Sequence, residues 1–235
     1  MEKWLNILGE AVFPSNISCI GCMQSISKQN PYSLCHSCYK NIVFTDSVCR
    51  HCGRRTVEEG YCYCTDERYY YDSVSTVMAY NSFSQKLVYR YKYGQKTYLA
   101  EFFAELLEEK IRREGMSYDY LTYVPIHPAR IKTRGFHQVE LMAEMLGERL
   151  ELPVIDMVIR RKNTPFLSEK KPFERMLILE EAFEPKEIVL KENSLILLLD
   201  DIITSGATLS LTAKAIKKRI PDATVDAMAV CNART

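Results

Sequence analysis

Neither charge sign prevails in this chain of 235 residues: 31 lysines and arginines face 30 aspartates and glutamates, a formal net charge of +1. No global field therefore advertises a polyanionic partner, and any basic surface has to be local. Long apolar runs are missing as well. None approaches the roughly 20 residues of a bilayer-spanning helix, which argues against a transmembrane segment. The opening MEKWLNILGEAVF carries Glu2 and Glu10 within its apolar stretch and lacks a small-residue cleavage site, so it does not read as a signal peptide. Trp4, Leu8 and Phe13 suit a short amphipathic helix, read as core packing in preference to a membrane or partner contact. A cytoplasmic chain is expected. Also absent are GxxxxGKS/T and GxGxxG, which leaves a P-loop ATPase and a dinucleotide fold without support. No GxSxG elbow surrounds Ser205, and there are no internal repeats or low-complexity tracts.

Cysteine is abundant, and it is concentrated. Of the 9 cysteines all but Cys231 lie in four close pairs, Cys19/Cys22, Cys35/Cys38, Cys49/Cys52 and Cys62/Cys64. A secreted disulfide scaffold is the competing reading, but adjacent-pair spacing suits metal better. Two thiolates two residues apart on a turn both reach one tetrahedral Zn2+ at about 2.3 Å, and two such knuckles close the site. The first set reads CxxC–x12–CxxC, and the second CxxC–x9–CxC. One or two structural zinc ions are expected, standing in for a core that roughly 50 residues cannot build. His36 and His51 adjoin ligands and could substitute, although exposed histidines are the simpler reading. Four thiolates leave no open position for catalysis. Cys231 reads as a small buried apolar residue.

Beyond the cysteines the elements alternate. Strands are expected at 73–80, 120–126, 195–199 and 224–230, with helices at 99–113, 139–150 and from 207 to the stop at Pro221. Alternation argues for an α/β domain with a parallel sheet. The boundary falls at the tyrosine-rich 67–72, giving an N-terminal helix and double ribbon over 1–68 and the α/β domain over 69–235. A content of 47% hydrophobic residues supports one substantial core plus such a module. Residues 160–186 have mixed charge and weak periodicity, and read as a long excursion of the kind that serves as a lid.

The stretch LLLDDIITSGATLS, 197–210, carries the chemistry. An apolar strand ends in Asp200 and Asp201, and after Gly206 a helix begins, with Leu209, Ala213, Ile216 and Ile220 on one face. In open α/β sheets ligands bind at the carboxyl ends of strands. Backbone N–H groups of Thr204–Thr208, Ala207 among them, at a helix N-terminus favour a phosphate; Gly206 lets it approach, and Thr204, Ser205 and Thr208 add hydroxyls. The acids would repel that phosphate but accept hydrogen bonds from vicinal hydroxyls, or help hold Mg2+. Phosphate on one side and a diol on the other describe a ribose 5-phosphate.

LLLDDIITSGAT resembles the signature of type I phosphoribosyltransferases. VPIHPARIKTRGFHQVELMAEML, 124–146, resembles a VPxPxHxxRxxxRGFNQxxLLA segment of the late-competence ComF family, as do the cysteines after FPSNISC and the YKYG at 91–94. The resemblance covers nearly the whole chain. It implies a ComFC-like zinc ribbon ahead of a type I phosphoribosyltransferase-like parallel sheet flanked by helices. It also implies a role in DNA uptake during natural transformation beside a helicase-like competence ATPase, at the inner face of the membrane through such partners. Arg130, Lys132 and Arg134 would then line the pyrophosphate side of a 5-phosphoribosyl-1-pyrophosphate (PRPP) site with Mg2+; a solvated basic loop is the alternative. That stretch holds no acid between Val124 and Val139, which suits a diphosphate. The chain departs from the family at His137, Phe166 and Ile178, near the basic stretch and the expected lid, which puts substrate choice and turnover in question.

Two functions remain open at this level. One is an active phosphoribosyltransferase, in which Asp200 and Asp201 orient the ribose while PRPP loses pyrophosphate to a nitrogen base. The other is a competence factor that handles single-stranded DNA and keeps the nucleotide site as sensor or scaffold. From Ser73 to Ala100 there is no acid, and Lys86, Arg90, Lys92 and Lys96 interleave with Tyr89, Tyr91, Tyr93 and Tyr98. Cations and aromatic faces are the ingredients of a single-strand platform. A partly buried tyrosine helix with a solvated basic face is the competing reading.

Overall fold

Four apolar runs pair in parallel to make the central sheet. In the computed structural model, which describes residues 18–27, 30–56, 62, 64, 69–163 and 181–234, the strands are β1 (Ser73–Ala79), β2 (Tyr120–Tyr123), β5 (Leu195–Ile203) and β6 (Thr224–Asn232). Their order is β1-β6-β5-β2, with Leu199 opposite Met228 and Tyr123. A parallel sheet is covered on both faces, so its inner strands are apolar throughout. Ile196, Leu197, Leu198 and Leu199 are accordingly fully buried. Leu197 and Leu199 join one core cluster, while Ile196 and Leu198 join another with Leu209, Ala213 and Ile216. Each such side chain contributes about 1.5–3 kcal/mol.

The expected helices are present: α3 (Leu99–Arg113) and α5 (Gln138–Leu150) on one face, and α6 (Ala207–Arg219) on the other. Two further helices hold the basic residues. Helix α2 (Ser82–Tyr93) starts at Asn81, whose side chain accepts from the Phe83 and Ser84 N–H groups at 2.9 and 3.0 Å while Ser84 Oγ accepts from Asn81 N–H at 2.9 Å. Reciprocal capping of that kind fixes a helix start. The basic stretch, for which a solvated loop is the alternative reading, forms the short helix α4 (Pro128–Arg134). Pro128 presets the first helical φ, His127 caps it, and Gly135 stops it at φ 85°. At the ends of the 160–186 excursion β3 (Val158–Arg160) pairs antiparallel with β4 (Phe183–Pro185). Residues 164–180 of that expected lid, Phe166 and Ile178 among them, lie outside the described residues, as does the N-terminal helix expected around Trp4.

The ribbon is not a bead beside the sheet. Its first half, with the turn Pro31–Ser33 and helix α1 (His36–Tyr39), sends Ile20, Leu34, Cys38 and Ile42 into the core cluster that holds Leu87, Tyr91, Phe102 and Phe103. Tyr32 stacks on Tyr39 at 5.8 Å and meets Phe102 edge-on at 6.3 Å. The strand-like run after it lies along β1: Ala79 N–H donates to Val43 O at 2.8 Å, Thr45 N–H to Val77 O at 2.9 Å, and Val74 N–H to Arg50 O at 2.7 Å.

Candidate functional site

The acid pair sits where β5 ends, and alternation along the strand gives its members different company. Asp201 is buried and accepts from Lys92 Nζ at 2.7 and 2.9 Å; both side chains are largely removed from solvent. Asp200 accepts the Asp201 N–H at 2.8 Å and lines a cavity of about 20 Å3 with Ile202 to Leu209. That space holds little more than a water, so a phosphate would rest on the exposed Thr204 and Ser205 at its mouth rather than enter. Burial, and then the Asp201 carboxylate, push the Asp200 carboxyl up to about 7, against the pull of Lys92, the Asp201 N–H and Arg160.

Past the acids, Gly206 adopts φ 76° and starts α6. A side chain there would crowd Tyr69 Cε1 and Tyr71 Oη at 3.2 Å and Arg234 Nη1 at 3.3 Å, so the turn requires glycine on two counts. Ser205 Oγ accepts from the Ala207 N–H at 3.3 Å. The first-turn N–H groups of α6 have no carbonyl partner within the helix, and the dipole adds positive potential toward Thr204–Thr208.

Three arginines join Lys92 at this end of the sheet. Arg130 and Arg134 stand one turn apart on α4 and share a face; burial lowers the Arg130 pKa and the Arg134 charge lowers it further. Arg134 donates to Gln138 Oε1 at 2.9 Å and lies over the Tyr93 ring at 5.3 Å. Lys132, two residues from each, is exposed on the other side of that helix and is not brought into the group. Arg160 is buried over Phe183 at 5.2 Å. Burial, with the charges of Arg130 and Arg134, takes its pKa down to about 10 although Asp200 opposes this. Sequence reading missed Arg160. Its signal was slight: a strand of three residues, VIR, that buries Val158 and Arg160 on one face. His137 caps α5 with both ring nitrogens near N–H donors, Ile126 N at 3.1 Å and Glu140 N at 3.2 Å. A neutral imidazole accepts through one nitrogen, so it serves one of these at a time. Burial keeps it neutral by lowering its pKa.

The expected nucleic-acid platform is narrower than its sequence. Lys92 turns inward to Asp201, and Arg90 donates to Ile20 O at 2.6 Å and Tyr98 Oη at 2.9 Å, so two of the four cations are committed inside the molecule. The reason is helical: Tyr91 is fully buried with its hydroxyl on Gln138 O at 2.6 Å, which draws its neighbours toward the core. Lys86 and Lys96 remain exposed, with Tyr89, Tyr93 and Tyr98 at 66%, 53% and 43% exposure.

The eight cysteines gather in the expected fours. Cys19, Cys22, Cys35 and Cys38 form one group of sulfurs and Cys49, Cys52, Cys62 and Cys64 the other, each within 4.8 Å. Sulfur pairs lie 3.8, 3.6 and 3.4 Å apart for Cys22/Cys35, Cys49/Cys64 and Cys52/Cys62. The edge of a tetrahedron with bonds of about 2.3 Å is about 3.8 Å, so the donor set fits zinc and the spacing is too long for disulfides. Burial opposes ionisation of Cys19 and Cys49, yet backbone N–H groups outweigh it and bring their thiols to about 6 and about 7. His36 and His51 are in neither group.

Residues 8–66 match the double zinc ribbon domain family. Competence protein F of Haemophilus influenzae is 25% identical, over 92% of this chain and 91% of its own length. Competence protein ComFC of Streptococcus pneumoniae is 28% identical over 60% of each chain. ComFC of Bacillus subtilis is 26% identical over 79% of this chain and 78% of its own. Among solved structures, adenine phosphoribosyltransferase from Leishmania tarentolae matches at TM-score 0.39 and 13% identity over 60% of this chain and 74% of that one, too distant to carry an argument. With a ribbon family over the paired cysteines and a competence protein matched nearly end to end, the chain is ComFC-like.

Proposed function

We propose that the carboxyl end of the sheet binds PRPP and that the chain uses this site in competence-linked DNA uptake, handling single-stranded DNA beside a helicase-like ATPase. One observation carries the reading: Asp200, the Thr204–Thr208 loop and the cations Lys92, Arg130, Arg134 and Arg160 converge on one end of the sheet. The 5-phosphate rests on the loop, where N–H groups and hydroxyls point outward. The ribose diol meets Asp200. The pyrophosphate, with its higher charge, faces the arginines, whose burial strengthens charge-assisted hydrogen bonds. Mg2+, when bound, would neutralise part of that pyrophosphate, and Asp200 would help hold it. Lys92 has a particular part: a pyrophosphate that draws its ammonium away frees Asp201 for the second hydroxyl.

The DNA part rests on Tyr89, Tyr93 and Tyr98 with Lys86 and Lys96, and on the competence relatives. Transfer of the phosphoribosyl group to a nitrogen base is the second reading. It is favoured by Tyr93, an exposed ring beside Arg134 on which a base would stack. No helix among the described residues is long and apolar enough to cross a membrane. Calorimetry with PRPP and with inorganic phosphate tests the site. Tight binding of PRPP with weak binding of phosphate supports it, and equal affinity for both refutes a ribose subsite. Pyrophosphate release across a panel of bases separates catalysis from sensing.

A further inference from the structure

The second four-cysteine group lies directly behind the loop that the proposed function assigns to phosphate. Arg234 is the link. Its buried guanidinium donates through Nη1 to the carbonyl of Cys52, one of the four sulfur donors, and through Nη2 to Tyr69 Oη at 2.7 Å. Tyr69 Oη in turn donates to Ser205 O at 3.5 Å, and Arg234 Nη1 stands 3.3 Å from where a Cβ of Gly206 would be. A second path runs through Gly53. Its carbonyl accepts from Asn232 Nδ2 at 2.7 Å, and a Cβ on it would lie 3.3 Å from Ile203, the residue before Thr204. The first four-cysteine group packs elsewhere, against α2 and α3.

We propose that the second metal site is a positioning device for the 204–208 loop, with Arg234 as the positioning residue, and that the first site has no such part. The inference rests on the phosphate reading of that loop. A carbonyl holds a guanidinium in place only if its own peptide is fixed, and the Cys52 peptide is fixed by its sulfur on the metal. Loss of the metal frees the carbonyl, the guanidinium and then the Gly206 turn, so a preorganised cradle becomes one that the ligand must order. The two sites share a chemistry and differ in what stands behind them.

The test uses the full chain and three variants: Cys62→Ser for the second site, Cys22→Ser for the first, and Arg234→Lys, whose single ammonium cannot span both acceptors in the fork geometry. Zinc per chain, amide exchange of residues 204–210, and calorimetry with PRPP and inorganic phosphate are read together. Expected are faster loop exchange and about tenfold weaker PRPP binding in Cys62→Ser and Arg234→Lys, with one zinc lost only in the former. Cys22→Ser should lose a zinc and keep both loop exchange and binding. Should Cys62→Ser fail to fold, Arg234→Lys with zinc retained carries the test alone. Unchanged loop exchange in Arg234→Lys overturns the coupling, as does an equal response to Cys22→Ser. Loop exchange that responds while the unmodified chain binds neither ligand supports the coupling and removes the phosphate reading instead.

Discussion

Lys92 and Asp201 hold each other at 2.7 Å with little water at either side chain, and that makes them costly to separate. Breaking a buried pair by removing one partner leaves an uncompensated charge. Lys92→Met should lower unfolding free energy by about 3 kcal/mol, and adding Asp201→Asn should restore most of it, as denaturant titration of the three variants will show. Asp200 behaves differently because its own ionisation is opposed by burial and by Asp201. A diol needs the carboxylate, so PRPP affinity should rise between pH 6 and pH 8 in step with ionisation near about 7. Ribose 5-phosphate, a monoester that titrates at about 6 as the 5-phosphate of PRPP does, gives the share owed to the ligand. Asp200→Asn should flatten the remainder and weaken PRPP about tenfold, the size of one hydrogen bond to a charged group. The sign for stability is opposite. A carboxyl whose pKa is raised by folding favours the native state at acid pH, and that contribution is lost as pH rises through its folded value. Asp200→Asn should therefore be the more stable chain at pH 8, with the gap closing toward pH 4, read from thermal midpoints across that range.

At the scale of elements, the β5–loop–α6 unit was legible because its periodicity changes within ten residues, from a continuous apolar run to helical spacing around one glycine. The ribbons were legible because a tetrahedral metal demands fixed spacing between thiols. Helix α4 was not, since Pro128 and Gly135 look like loop punctuation until they prove to be its start and stop. Lys92 was assigned to the wrong surface because a lysine on a helix ordinarily faces water, and its partner lies 109 residues away. Arg160 sat in a segment without periodicity, where nothing local marks burial. Gly206 allows a sharper measurement of the loop. Its φ of 76° and that of Gly115, 63°, impose similar backbone strain, about 1–2 kcal/mol for alanine, but Gly115 has open space around it. Gly206→Ala should cost more stability than Gly115→Ala by the contacts with Tyr69, Tyr71 and Arg234, and it alone should weaken phosphate binding. Equal losses in the two variants would show that the ring and guanidinium simply move aside.

Across the whole molecule, the cations of α2 and the turn after it have three tasks: Lys92 faces Asp201, Arg90 holds Ile20 O, and Lys86 and Lys96 face water. Lys86→Glu with Lys96→Glu should leave PRPP binding unchanged and reduce the slope of log affinity for single-stranded DNA against log salt by about 1.4, the counterions of two phosphate contacts. An unaltered slope would move the DNA site away from the tyrosines. The run from Val43 to Arg50 that hydrogen-bonds along β1 has a consequence of another kind. Opposite β6, the only backbone partner described for β1 is a segment that follows the Cys35–Cys38 knuckle and runs into the Cys49–Cys52 one. If chelation unravels the knuckles, β1 becomes a bare edge with unpaired N–H and C=O groups, a template for another copy's strand. Light scattering should then show zinc-stripped protein growing into multimers, at a rate that rises with concentration and stops when zinc is restored early. A chelated sample that stays monomeric would mean the run holds to β1 without metal. Zinc supply would thus govern how much of this protein a cell keeps in usable form, by solubility before any question of ligand binding arises.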